Sequence, residues 1–174
     1  IGDTVVVFAQ GPIGLCATAG ARLLGATTII AVDGNDHRLG IAQKMGADVT
    51  LNFKNCDVID EIMKITGGRG ADSAIEALGT QATFESALRS IKPGGTLSSL
   101  GVYSEDLKIP LSAFAAGLGD HKINTALCPG GKERMRRLMN VLASNRLDLG
   151  LLVTHQYKLD DIVAAYDLFA HQRD

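Results

Sequence analysis

The chain has 174 residues, 46% hydrophobic and 21% charged, with a formal net charge of -2, which is about one domain with enough apolar residues to bury a core. It lacks the basic excess of a nucleic-acid-binding domain, and neither a signal sequence nor a run of about eighteen apolar residues points to a membrane. Cys16, Cys56 and Cys128 are far apart with no Cys-x-x-Cys pair, which argues against a disulfide framework or structural zinc and for a reducing, cytoplasmic compartment.

In chain order, the β-branched and aromatic run Thr4, Val5, Val6, Val7, Phe8 predicts a strand. It breaks into the small-residue turn Ala9-Gln10-Gly11-Pro12-Ile13-Gly14 and opens directly into a helical period. A second strand over 27–32 ends at Asp33, and an amphipathic helix over about 36–45 carries Leu39, Ile41, Ala42 and Met45 on one side. A short third strand at 49–52 precedes a helix marked by Val58, Ile59, Ile62, Met63 and Ile65, which stops at Thr66-Gly67-Gly68. A fourth strand at 72–76 leads to a helix over 81–91, the turn Pro93-Gly94-Gly95 and a fifth strand over 95–100. This alternation predicts an α/β fold, a doubly wound parallel sheet with helices on both faces.

Past an irregular stretch at 102–119, the pattern predicts a sixth strand at 122–127 and a long helix at 132–145 launched by Cys128-Pro129-Gly130-Gly131. A short strand at 152–155 and a helix at 159–169 complete it. The basic residues at 132–137 surround Met135, Leu138 and Met139 at helical spacing and read as a solvated helix face. With no initiator Met, and a last segment running into His171, Gln172, Arg173 and Asp174 without a Gly or Pro stop, the chain reads as a piece of a longer polypeptide.

The first strand, turn and helix suit a dinucleotide. Gly11 lets the backbone approach a pyrophosphate, Gly14 lets the helix lie close against the strand, and free N–H groups at the helix start favour an anion. The usual Gly-x-Gly-x-x-Gly has Ala9 in its first glycine place, and a turn that binds nothing is the plain alternative. Asp33 lies 19 residues after Gly14, close to the roughly 20-residue spacing of the carboxylate that holds an adenosine ribose. It can accept from both ribose hydroxyls and would repel a 2′-phosphate, which favours NAD over NADP; a turn or capping role is the alternative. Arg38, one turn into the next helix, is placed to reach the ribose or, less favourably, a 2′-phosphate.

The segments GDTVVVFAQGPIGLCATAGARLLGA, GADSAIEALG, KPGG and GDHKINTALCPGGKERM, matching in order, resemble the medium-chain, zinc-dependent alcohol dehydrogenases, most closely the bacterial secondary-alcohol dehydrogenases and carbonyl reductases. The resemblance covers essentially the whole chain and implies a single NAD(P)-binding Rossmann domain over 1–174. A GroES-like catalytic domain bearing the zinc ligands would lie mostly upstream. The family reaction moves hydride between the carbinol carbon of a zinc-bound alcohol and C4 of the nicotinamide. The resemblance therefore implies that this chain alone binds cofactor without turnover and binds no zinc.

Carried over by position, the resemblance puts Gly11, Pro12, Ile13 and Gly14 at the pyrophosphate, and Asp33 and Arg38 at the adenosine ribose. Ala77, Leu78 and Gly79 would flank the adenosine and nicotinamide ribose, Leu100, Gly101 and Val102 the carboxamide, and Leu127 and Cys128 the nicotinamide ring. NADP-dependent members carry Gly-Ser-Arg where this chain has Asp33-Gly34-Asn35. A homodimer or homotetramer through the sheet edge between Lys122 and Leu127 is also implied.

Competing readings are weaker. His37, His121, His155 and His171 fit no common zinc spacing with the cysteines and read as surface or hydrogen-bonding residues. Cys16, among Leu15, Ala17 and Ala19, reads as a small buried thiol, and Cys128 has no base near it in sequence. A short-chain dehydrogenase would need Tyr-x-x-x-Lys, which neither Tyr103 with Lys108 nor Tyr157 with Lys158 supplies, and Pro-Ile-Gly after the second glycine disfavours a methyltransferase. A serine hydrolase would need Gly-x-Ser-x-Gly. A non-catalytic NAD-sensing or assembly module of the same fold is the remaining alternative.

Overall fold

The computed structural model describes residues 1–171. Its strands are β1 (Thr4–Phe8), β2 (Thr28–Asp33), β3 (Val49–Asn52), β4 (Ala71–Glu76), β5 (Ile91–Ser99) and β6 (Lys122–Thr125). All pair in parallel in one sheet of order β3-β2-β1-β4-β5-β6. Its helices are α1 (Pro12–Leu23), α2 (Asp36–Lys44), α3 (Val58–Ile65), α4 (Gln81–Ser90), α5 (Lys132–Ala143) and α6 (Ile162–Ala170). The doubly wound α/β expectation is borne out.

Side chains alternate across the sheet, so each strand feeds two cores. Val6 aligns with Ile30 and Ala74, and Ala74 with Leu97; this row packs on Ile62 of α3 and on Phe84, Ala87 and Leu88 of α4. On the other face Val5, Val7 and Ile29 meet Ala21 of α1, while Ala31 meets Leu15 and Ala19 of α1 and Leu39, Ile41 and Ala42 of α2. Each fully buried large aliphatic side chain stabilises by about 2 kcal/mol, and covering both faces explains why β1 and β2 are unbroken apolar runs.

Five expectations are corrected. β5 begins at Ile91, not at 95, because Ile91 pairs with Ala71 before the register shifts, so Pro93-Gly94-Gly95 is an irregularity within the strand. β6 ends at Thr125, short of Leu127. No strand forms at 152–155: Leu149–Leu152 is a 3-10 turn opened by Asp148, which accepts from the Gly150 N–H at 2.8 Å, and Leu151 and Leu152 pack on the Leu15 cluster instead of pairing. Cys16 is exposed, because Gly14, Leu15, Thr18, Ala19 and Ala21 form the buried side of α1 and Cys16 lies outside that stripe. The helix expected over 159–169 is a 3-10 turn, Leu159–Asp161, followed by α6. The chain end at 172–174, expected to lack a stop signal, lies outside the described residues.

The β1–α1 turn is set by two backbone constraints. Ala9 holds φ +70°, a glycine-like conformation that disfavours an L side chain by about 1–2 kcal/mol. A Cβ on Gly14 would stand 1.8 Å from the Ala9 carbonyl oxygen, whereas one on Gly20 would meet nothing within 4 Å. Gly14→Ala is therefore expected to lower stability by about 3 kcal/mol, while Gly20→Ala raises it by about 0.5 kcal/mol through helix propensity; urea unfolding of both variants separates the two effects.

Asp72 ties β1 to β5. It accepts from the Thr4 N–H at 2.8 Å and pairs with Lys92; the Lys92 hydrogen bond first, then the Thr4 amide, hold its carboxyl below the ordinary 3.8. A depressed folded-state pKa gives stability that is present above the unfolded value and lost as pH falls through the folded one. With both partners partly solvated, Asp72→Asn is expected to cost about 1 kcal/mol at pH 7, and the gap from the parent should shrink as pH falls below 3.8 in urea midpoints taken across pH.

Candidate functional site

β1 and β4 are neighbours in the sheet, but α1 leaves β1 toward one face and α4 leaves β4 toward the other. The strand order thus reverses there and opens a crevice beyond the carboxyl ends of the strands, where open α/β sheets place ligands. A cleft of about 880 Å³ lies in this region, lined among others by Ala9, Asp33, Arg38, Phe53, Leu78 and Thr83, and is large enough for a sizeable part of a cofactor.

The turn is built around two residues. Buried Gln10 donates from Nε2 to the Val7 carbonyl at 3.0 Å and accepts from Thr18 Oγ1 at 3.0 Å, tying α1 to β1. Asp33 accepts from the Gln10 N–H at 2.6 Å on Oδ2 and from the Asn35 N–H at 2.9 Å on Oδ1. Asn35 Oδ1 caps α2 by accepting from the His37 and Arg38 amides. Asp57 and Thr80 likewise cap α3 and α4, but α1 starts at Gly11 with Pro12 in its first turn and no side-chain cap. A helix start without a side-chain cap presents N–H groups that suit an anion.

On the far side of β1, Glu76 ends β4 with 0% exposure. Oε1 accepts from the Leu78 N–H at 2.8 Å, the Gly79 N–H at 2.7 Å and Thr83 Oγ1 at 2.7 Å. Oε2 accepts from Tyr103 OH at 2.7 Å and Ser99 Oγ at 3.2 Å. Burial alone would raise the Glu76 pKa, but the donors led by Gly79 and Tyr103 outweigh it and hold the carboxyl below its ordinary value. Tyr103 is pushed up to about 12, by burial first and then by its bond to Glu76, against the opposing Ser99 bond.

The expected site residues divide as follows. Asp33, Arg38 and Leu78 line the cleft. Gly11, Pro12, Ile13 and Gly14 form the turn and helix start beside it, and a Cβ on Gly14 would lie 3.7 Å from the Ala77 side chain. Gly79 and Gly101 meet without room for a side chain: a Cβ on Gly79 would fall 2.4 Å from the Val102 oxygen, and one on Gly101 would fall 2.2 Å from the Gly79 nitrogen. Leu100 joins them through its N–H, which donates to the Glu76 carbonyl at 2.8 Å. Leu127, 92% exposed, and exposed Cys128 lie beyond β6 and do not line the cleft.

Sequence reasoning gives no site role to Gln10, Phe53, Glu76 or Thr83 and weighs Tyr103 only as a partner of Lys108; the available signal was an acidic residue within the apolar register of β4. His37 is exposed, His155 bonds Thr154 and His171 bonds Asp167, while His121 packs edge-on to Phe114. Among the described residues no group of three or more His, Cys, Asp or Glu side chains could hold a metal ion, so these residues do not fit a zinc site. No helix among them is long and apolar enough to cross a membrane.

Residues 12–144 match the family model for zinc-binding dehydrogenases. An alcohol dehydrogenase of Cupriavidus necator is 84% identical over 174 residues, 100% of this chain and 48% of that protein. The NADP-dependent isopropanol dehydrogenase of Thermoanaerobacter brockii is 37% identical over 97% of this chain and 49% of its own length. Among solved structures, alcohol dehydrogenase TADH from Thermus sp. ATN1 superposes with a TM-score of 0.88 at 31% identity, covering 99% of this chain and 49% of that one. The chain spans about half the length of the curated relatives it matches. With the fold, the crevice and the family match in agreement, the chain belongs to the zinc-binding dehydrogenases.

Proposed function

We propose that the chain binds NAD(H) across the crevice and serves as the coenzyme half of an alcohol dehydrogenase, in which hydride passes between an alcohol, a secondary one above all, and the nicotinamide, the alcohol becoming the ketone or aldehyde or being formed from it. The observation that carries this reading is Asp33: a carboxylate at the end of β2, fixed by two backbone amides beside the turn and lining the cleft. A carboxylate offers about four acceptor positions, so two remain for the vicinal hydroxyls of an adenosine ribose. Gly11, Pro12, Ile13 and Gly14 take the pyrophosphate at the uncapped start of α1, and Arg38 flanks the ribose. Ala77, Leu78, Gly79, Leu100, Gly101 and Val102 serve the nicotinamide half, with Leu127 and Cys128 toward its ring.

NAD is the preferred form. A 2′-phosphate brought to about 4 Å from Asp33 would meet a repulsion of roughly 1–4 kcal/mol per unit charge. Arg38 offsets part of this, so NADP is disfavoured without being shut out. The relatives named as NADP-dependent, at 33–38% identity, leave this preference for measurement. Residues 1–174 act as one coenzyme domain in the cytoplasm, the alcohol-binding and zinc-holding parts belonging to a GroES-like domain. The open edge of β6, paired among the described residues only with β5, joins a second copy into a homodimer or homotetramer, since an unpaired strand edge favours a partner.

Calorimetric titration should give NAD at least about tenfold tighter binding than NADP, a difference of about 1.4 kcal/mol. Asp33→Gly should weaken NAD and bring the two affinities together; because Asp33 also holds the Gln10 and Asn35 amides, the ratio is the diagnostic, and tighter NADP binding by the parent would refute the assignment. For the edge, Lys122→Glu combined with Asn124→Pro should leave a monomer in sedimentation velocity, and a surviving dimer would rule that location out.

A further inference from the structure

The last residue of β4 does more than close a strand. Its main-chain carbonyl accepts from the Leu100 N–H at 2.8 Å, and its carboxylate accepts from Leu78, Gly79, Thr83, Ser99 and Tyr103. One side chain therefore engages the β4–α4 loop, the end of β5 and the loop beyond it. Five donors fill the roughly four acceptor positions of a carboxylate, leaving no lone pair for a ligand. Glu76 acts on a bound molecule through the backbone it holds.

Tyr103 is fixed from both ends. Its hydroxyl lies 2.6 Å from Ser99 Oγ and bonds Glu76, while its ring stands edge-on to Phe84 of α4 at 6.2 Å. Gln81 at the start of α4 clasps the same loop further on, donating to the Lys108 carbonyl at 2.7 Å and accepting from the Lys108 N–H at 2.9 Å. Between these ties, Gly79, Gly101 and Val102 touch backbone to backbone. A small slip of either loop would produce a collision, so their relative position is held closely.

We propose that Glu76 and Tyr103 are positioning residues for the nicotinamide half of the crevice: the buried carboxylate clamps the 77–79 and 100–102 loops in one register. This rests on the coenzyme reading above. In sheets of this strand order the two mononucleotide halves bind on opposite sides of the switch point. Asp33 and the cleft walls from β2 and β3 serve the adenosine side; of the Glu76 partners Leu78 and Thr83 also line that cleft, while Ser99 and Tyr103, held on the other carboxylate oxygen, lie on the β5 side. Loosening the clamp should uncouple the two halves of one ligand.

The test is titration of the protein in its complete native chain with AMP, which reads the adenosine half, and with NADH, which reads both. Tyr103→Phe removes one donor and keeps the ring on Phe84. Glu76→Gln keeps the shape and one acceptor oxygen, and turns the other position into an amide donor for the Tyr103 and Ser99 hydroxyls. Tyr103→Phe should weaken NADH about tenfold, the size of one lost charge-assisted hydrogen bond, with AMP affinity within about twofold. Glu76→Gln should show the same split. Thermal unfolding without ligand shows that each variant is folded, and if Glu76→Gln is not, Tyr103→Phe decides. A parent that binds neither AMP nor NADH overturns the coenzyme reading. Variants that lose AMP and NADH in parallel, or lose neither, overturn the clamp alone.

Discussion

Two carboxylates end the two strands that flank β1, and the crest of the sheet depends on how many hydrogen bonds each already receives. Asp33 closes β2, stands at the cleft wall and accepts two backbone amides. Glu76 closes β4, is fully buried and accepts from five donors. An isolated buried carboxylate would lose several kcal/mol of solvation, so Glu76 stays charged only because the loops turn their donors inward. The cost of burial thus becomes a constraint on loop geometry. Asp33 is less completely engaged, and its remaining acceptor capacity faces the cleft. Under the proposed reading, residues at equivalent strand ends are thereby fitted to different work, one to contact and one to support.

The rest of the crest is backbone against backbone. Gly14 lies against the Ala9 carbonyl, Gly79 against Val102 and Gly101 against Gly79, three approaches that any side chain would block. Ala9 shows that geometry rather than residue identity is what the turn requires. It takes up φ +70° despite its methyl group, held by its N–H donating to the Val32 carbonyl at 2.9 Å. The strain of about 1–2 kcal/mol is offset by the packing of β1, whose Val6 and Val7 are fully buried. A glycine motif with one glycine missing therefore still builds the turn.

What could be read from the residues follows the range of the interactions. The strand-helix alternation, the turn and Asp33 are local patterns, and three of the residues to which spacing and resemblance give cofactor roles, Asp33, Arg38 and Leu78, line one cleft. The Glu76 clamp was not legible because its partners come from residues 78 to 103, and no local pattern announces a tyrosine returning to a strand end. Gln10 escaped for a similar reason, since burial converts an ordinary turn glutamine into the tie between β1 and α1. At 152–155 the composition predicts a strand, but Asp148 winds the backbone before it into a 3-10 turn and Leu151 and Leu152 find a core on α1 and α2. Cys16 went astray by a single helical step of about 100°, which moves it from the stripe of Leu15 and Ala19 to the outer side.

The packing around Asp33 also bears on how coenzyme preference can change. Asp33 anchors the Gln10 and Asn35 amides, and Asn35 caps α2, so losing the charge also releases the turn and the start of the next helix. Beside it, a Cβ on Gly34 would fall 2.5 Å from the tip of the Phe53 ring and 3.0 Å from the Lys54 side chain. A larger residue at 34 therefore requires Phe53 to swing, and Phe53 is itself part of the cleft wall. Under the proposed reading, a single substitution at 33 relaxes discrimination by weakening what is bound, without creating a phosphate site. A pocket that welcomes a 2′-phosphate needs a linked change at 33, 34 and 53, because one carboxylate and one aromatic ring shape both the ribose contact and the turn beneath it.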